Sequence, residues 1–91
     1  MLKVVVPLEA LKEYGFKTTT DNIWSYEISD TFEILVNILQ YNYTEHKFAP
    51  TTDNIVRLYH YAESSEEEIE DAVKFPEVIY LMIKDGVINV C

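Results

Sequence analysis

From Glu63 to Asp71 the chain carries six carboxylates: Glu63, Glu66, Glu67, Glu68, Glu70 and Asp71. Glu77 and Asp85 follow. On a helix, residues three or four apart stand roughly 5–6 Å apart at Cβ, so Glu67 with Asp71, and Glu66 with Glu70, would form two acidic ridges. Fixed negative charge in rows can imitate phosphates and enter the basic groove of a nucleic-acid-binding protein. Taken alone, the run fits a solvated helix face better, with acidic residues favoured at the helix start. The chain as a whole narrows that gap: 7 basic residues stand against 16 acidic ones, a net charge of −9. The expected partner contacts are Glu63, Glu66, Glu67, Glu70 and Asp71, and the expected partner is basic.

The same charge argues against direct binding to DNA or RNA, which requires cations that displace counterions from phosphate. An anionic membrane would repel the chain as well. Other chemistry lacks its residues. With two glycines there is no phosphate loop or dinucleotide fingerprint. No cysteine and histidine pairs stand at zinc spacing. His46 and His60 lie 14 residues apart on different expected elements, where a structural or solvent-facing role fits a lone histidine better than catalysis. Ser64 and Ser65 suit a helix start. No catalytic, cofactor-binding or metal residue is expected, and the chain reads as non-enzymatic. Cys91 is the single cysteine, so no intramolecular disulfide can form, which fits a reducing compartment. The apolar opening MLKVVVPLEA stops at Pro7, too short for a signal core or a membrane span. The expected location is the cytoplasm.

Tyrosines form a second candidate site. Tyr41 and Tyr43 fall in one segment, Tyr59 and Tyr61 in another. If residues 55–62 form a strand, Arg57, Tyr59 and Tyr61 share a face, and tyrosine and arginine are common interface anchors. A homodimer built there would supplement the thin core of a short chain. The wet edge of that core is an equal reading.

The elements that must hold these residues read as a single α+β domain over residues 1–91. Leu2–Val6 is a β-branched strand. Pro7–Tyr14 has helical spacing, and Gly15 follows as a left-handed cap. In Ile23–Ser29, Trp24, Tyr26 and Ile28 alternate with polar residues, the period of a half-buried strand. Residue types in Thr31–His46 favour a strand, whereas Glu33, Asn37, Gln40 and Thr44 make one polar helical stripe. Asp30, three before Glu33, also resembles a capping box. The stripe decides for helix, the alternative being a long strand paired with Ile23–Ser29. Ile55–Ala62 reads as a strand. Ser65–Lys84 reads as helical, capped by Ser65 with Glu68 and interrupted at Pro76. Asp85-Gly86 stops it, and Val87–Val90 makes a last strand near Leu2–Val6. The sheet would have three to four strands, covered by helices.

The pentapeptide TTDNI occurs at Thr19–Ile23 and again at Thr51–Ile55, 32 residues apart. At the same offset Glu13 matches Glu45 and Phe16 matches Phe48. Trp24, Tyr26 and Ile28 then align with Val56, Leu58 and His60, so the inward face keeps its phase. TTDNI should be a turn delivering the chain into two equivalent strands, each preceded by a helix ending in Glu-x-x-Phe. Duplication and coincidental reuse of good turn chemistry explain it equally.

The opening VPLEALKEYGF and the closing LMIKDGVI resemble the ends of small acidic accessory proteins of phages and prophages of Gram-positive bacteria. The likeness covers about a fifth of the chain. It implies a bacterial host cell and a role in which some such proteins, anti-CRISPR proteins among them, inhibit host defence nucleases by occupying nucleic-acid channels. No inhibitor motif matches by residue. Charge and resemblance together lead to a non-enzymatic protein that binds, and inhibits by nucleic-acid mimicry, a basic nucleic-acid-handling host protein. The alternative is a homo-oligomeric structural or assembly protein with no inhibitory role.

Overall fold

A computed structural model describes residues 1–20, 22–62, 65–68 and 77–90. Among these residues strands dominate, joined by one 3-10 helix and one α-helix, so the architecture is α+β in a strand-rich form. The strands are β1 (Leu2–Val4), β2 (Lys17–Thr20), β3 (Ile23–Glu27), β4 (Phe32–Val36), β5 (Leu39–Asn42), β6 (Lys47–Pro50), β7 (Val56–His60), β8 (Ser65–Glu68) and β9 (Ile88–Val90). The 3-10 helix spans Leu8–Tyr14 and α1 spans Glu77–Lys84.

The main sheet has five antiparallel strands in the order β2-β3-β4-β7-β8. Two smaller antiparallel pairs, β1-β9 and β5-β6, stand beside it. This corrects the expected sheet of three to four strands. Leu2–Val6 and Val87–Val90 do pair with each other, but they form a separate ladder, joined to the main sheet by a bridge from Lys3 to Ile55, by Val4 N–H donating to Asn54 O, and by packing on its inner face.

Alternation along the strands selects the inner face. One cross-strand row joins Trp24, Val36 and Val56, and the next joins Tyr26, Ile34 and Leu58. Trp24, Ile34, Val36 and Val56 are buried. Above them lie Ile79 and Met82 of α1, Leu11 of the 3-10 helix, Phe16, and Leu2, Val4 and Ile88 of β1-β9. The inward phase expected for β3 and β7 therefore holds, with Trp24, Tyr26, Val56, Leu58 and His60 on one face.

Both helices end in the same way. Phe16 N–H donates to Leu11 O and Gly15 N–H to Lys12 O; Val87 N–H donates to Met82 O and Gly86 N–H to Ile83 O. These paired bonds need a left-handed residue, and Gly15 (φ 92) and Gly86 (φ 76) supply it. The residue after each glycine, Phe16 or Val87, is buried and anchors the chain as it leaves the helix.

Two expected helices are not formed as read. Thr31–His46 contains β4, β5 and the turn beyond β5, and β4 pairs with β3, as the alternative strand reading has it. The Asp30 to Glu33 spacing belongs to a hairpin: Ile28 N–H and Ser29 N–H both donate to Phe32 O, and Thr31 N–H donates to Ser29 Oγ. The polar stripe misleads because Asn37, with φ 65, breaks the segment into two strands that no single helix spans. Likewise, Ser65–Glu68 is a strand: the chain turns at Tyr61–Ala62 and pairs straight back on β7, with Glu68 opposite Arg57 in register. The helical reading holds for Glu77–Lys84; residues 69–76 lie outside the described residues.

The repeat is equivalent in part. Asn22 (φ 64) and Asn54 (φ 59) are both left-handed and both lead into a sheet strand. What precedes them differs. Phe16 follows the 3-10 helix and is buried, whereas Phe48 sits in strand β6 and is 66 % exposed. The second copy is thus not preceded by a helix.

Asn37 is a buried polar residue and holds both copies. Its Nδ2 donates to Asn22 O at 2.8 Å and to Asn54 Oδ1 at 3.1 Å. Its Oδ1 accepts from Asn54 N–H at 2.7 Å and faces the Thr51 hydroxyl at 3.4 Å. Val36 pairs with Val56, and the ladder reaches one step further through Asn37 N–H to Ile55 O. There the chain leaves the sheet to make the β5-β6 arm. Thr51 closes the base of the arm, its N–H donating to Ile38 O and its Oγ1 accepting from Ile38 N–H.

Candidate interaction surface

The outer face of the main sheet carries the charge. One row runs Lys17, Ser25, Leu35, Arg57, Glu68, and the next runs Glu27, Glu33, Tyr59, Glu66. Glu27 and Glu66 are exposed, with Glu33 and Tyr59 half-buried between them. Glu27 and Glu33 are direct cross-strand partners, so two like charges face each other on neighbouring strands. Such a pair destabilises a sheet.

Tyr61 lies just beyond β7. Its hydroxyl donates to Glu33 Oε2, and its ring meets that of Tyr59 edge to face with centroids 4.9 Å apart. A cavity of about 330 Å³ opens here, lined by Lys17, Ser25, Glu27, Glu33, Tyr61 and the chain at Gly15 and Tyr26. Lys17 is the cation of that lining. Arg57, by contrast, is committed: its Nη2 lies 3.2 Å from Asp53 Oδ2, and the side chain is only 12 % exposed. Asp53 also accepts Ile55 N–H through Oδ1, the turn bond of the second TTDNI. Partial burial pushes the Asp53 carboxyl up, but the Ile55 bond, the Arg57 bond and charge, and Lys3 outweigh it and hold it below the usual aspartate value.

The expected contacts fall unevenly on this surface. Glu66 is exposed and in register with Tyr59. Glu67 occupies the strand position paired with Leu58, so neither Glu66 nor Glu67 stands on the helix that the expected ridges require. Glu63, Glu70 and Asp71 lie outside the described residues. The face-sharing expected of Arg57, Tyr59 and Tyr61 is present, with the arginine packed down and Tyr61 51 % exposed. The sequence reading missed Glu27 and Glu33. The signal that finds them is the Ser29–Thr31 turn, since a hairpin centred there sets Glu27 against Glu33.

The histidines are far apart in kind. His46 belongs to the arm's turn with φ 55, and His60 ends β7 with its ring 4.5 Å from Phe32. Among the described residues, no group of three histidine, cysteine or acidic side chains could hold a metal ion, and no helix is long and apolar enough to cross a membrane.

The arm presents a second surface. β5 and β6 alternate so that Leu39, Tyr41, Phe48 and Pro50 share one face, while Gln40, Asn42, Lys47 and Ala49 share the other. Tyr43 continues the apolar face: its ring lies 4.9 Å from that of Tyr41, which lies 5.2 Å from Phe48. Yet Leu39 is 53 % exposed, Phe48 66 % and Tyr43 82 %. A cavity of about 480 Å³ lies against this arm.

No family model matches the chain, and no curated protein or solved structure shows significant similarity to it.

Proposed function

We propose that the chain is a non-enzymatic accessory protein that binds a basic, nucleic-acid-handling protein through the acidic outer face of its sheet. The observation that carries this reading is the row Glu27, Glu33, Tyr59, Glu66 on a chain of net charge −9. Strands stand roughly 4.8 Å apart, so the row offers carboxylates across about 15 Å of surface, a span a lysine- and arginine-lined groove can match. Tyr59 and Tyr61 add aromatic area beside the charge, the composition that interfaces favour. Two opposed glutamates weaken the fold, and such a conflict is expected where a surface serves binding. Inhibition by nucleic-acid mimicry in a bacterial host, of the anti-CRISPR or another anti-defence kind, is the form suggested by the chain's resemblance to phage accessory proteins.

The test is capture of partners from nuclease-treated bacterial lysate, followed by elution with duplex DNA. The reading expects a basic nucleic-acid-binding protein that DNA and salt both release. The triple variant Glu27→Gln, Glu33→Gln, Glu66→Gln should lose that partner. A second variant neutralising Glu63, Glu66, Glu67, Glu70 and Asp71 measures the contribution of the acidic run. A partner retained by both variants in high salt would overturn the proposal, because an electrostatic interface at the surface is screened within about 10 Å at 0.1 M salt.

A further inference from the structure

We infer that the β5-β6 arm is a self-association surface: two copies of this chain pack the apolar faces of their arms against each other about a two-fold axis. Four observations lead there. First, the arm is a two-stranded hairpin outside the main sheet, and none of its residues belongs to the buried core. A lone two-stranded hairpin is marginal in water unless something packs on it. Second, its exposed face is a contiguous ladder of Leu39, Tyr43, Tyr41 and Phe48 with Pro50 at its end. Third, the rings already meet edge to face, which leaves ring faces and edges free for the same geometry with a partner's rings.

The fourth observation, charge, selects the occupant. Between Ile38 and Thr51 the charged residues are Glu45 and Lys47, and they pair with each other at 3.5 Å. The arm is therefore a neutral patch on a chain of net charge −9. It offers nothing to draw a basic protein, which the outer sheet face would attract instead. It lacks the cationic groove that stacking on single-stranded nucleic acid requires. A second copy can meet it there without setting like charge against like, and brings apolar surface of the same shape. The uncovered apolar area is roughly 400–500 Å² per copy, judged from the size of aromatic side chains. The buried total then lies near the lower limit of about 1,000 Å² for a specific interface, which fits a dimer that forms in the micromolar range.

The experiment is sedimentation velocity of the full chain from about 1 µM to 1 mM. The wild type should pass from monomer to dimer across that range. Leu39→Lys with Tyr43→Lys should remain monomeric throughout, because charge placed on an apolar contact prevents its burial. Tyr59→Ser with Tyr61→Ser, on the other surface, should dimerise like the wild type. Far-ultraviolet circular dichroism and thermal melting check that each variant is folded; should the lysine variant unfold, Phe48→Ser replaces it. A wild type that stays monomeric, a dimer that survives the arm substitutions, or one abolished by the Tyr59 and Tyr61 substitutions would each overturn the proposal. Co-sedimentation of the monomer with zwitterionic lipid vesicles, lost on arm substitution, would assign the arm to a membrane surface instead.

Discussion

Asn37 and Asn54 are bonded in both directions. Asn54 N–H donates to Asn37 Oδ1 over 2.7 Å, and Asn37 Nδ2 donates to Asn54 Oδ1 over 3.1 Å. Both residues are left-handed, and Asn37 is fully buried. Asparagine tolerates that backbone region, and its amide can donate and accept at once, so one residue type meets both demands.

Asn37→Ala should therefore be among the most damaging single substitutions. It removes the partners of Asn54 N–H and Asn22 O and forces alanine into the left-handed region. The unpaired, part-buried Asn54 N–H costs about 1–3 kcal/mol and the conformation another 1–2 kcal/mol. A total loss of about 2–5 kcal/mol is expected in urea denaturation, a large share of the roughly 5–15 kcal/mol typical of a small domain. Asn37→Gly keeps the backbone conformation and loses only the bonds, so it should be destabilised less. Equal losses in the two variants would show that the conformation contributes nothing.

Glu27→Gln should stabilise the fold and weaken partner binding together. It removes the repulsion with Glu33, worth about 0.2–1 kcal/mol for directly opposed charges, while leaving the Tyr61 to Glu33 bond in place. The gain should be visible in chemical denaturation at low salt and should shrink as salt is added. A gain that does not change with salt would mean that packing, not charge, is responsible.

The alkaline limit is set in part by Tyr14. Its hydroxyl donates to Asp85 Oδ2 at 2.6 Å, joining the 3-10 helix to the end of α1. That bond, with desolvation and the nearby charges of Asp85 and Glu13, pushes the phenol from 10.0 up to about 12. A raised folded value means that the stabilisation is complete below pH 10 and is lost as pH climbs from 10 towards 12. Ultraviolet titration should show the Tyr14 phenol ionising late, and Asp85→Asn should return it towards its ordinary value.

Asp53 acts at the opposite limit. Its folded value lies below the ordinary 3.8, so its contribution is present above pH 3.8 and disappears as pH falls through the lower folded value. Acid unfolding of Asp53→Asn should begin from a lower plateau and show a shallower decline below pH 3.8 than the wild type. Parallel curves would show that the Arg57 and Ile55 contacts add no pH dependence.

Sequence alone reveals the local features with one strong signal. Gly15 and Gly86 mark helix ends because a left-handed cap leaves few other choices. The alternation through Trp24 and Tyr26, and through Val56 and Leu58, marks two strands and their buried side. Pairing between distant segments is less legible. In Glu33, Asn37, Gln40 and Thr44 a helical period arises by accident, since a left-handed residue inside the stripe resets the phase. Ser65–Glu68 misleads similarly: glutamates suit a helix start, but these four residues pair antiparallel with β7 instead. The opposed Glu27 and Glu33 emerge only once β3 and β4 are known to form a hairpin.

The clasp at the base of the arm has an evolutionary consequence. Asn37, Thr51 and Asn54 close the loop where it leaves the sheet, so the segment from Leu39 to Pro50 is set apart from the core by its own base. Its tip can lengthen, shorten or change character while the core packs unaltered. If the arms pair as inferred, one substitution there alters both halves of a two-fold contact at once, so self-association can be gained or lost in a single step.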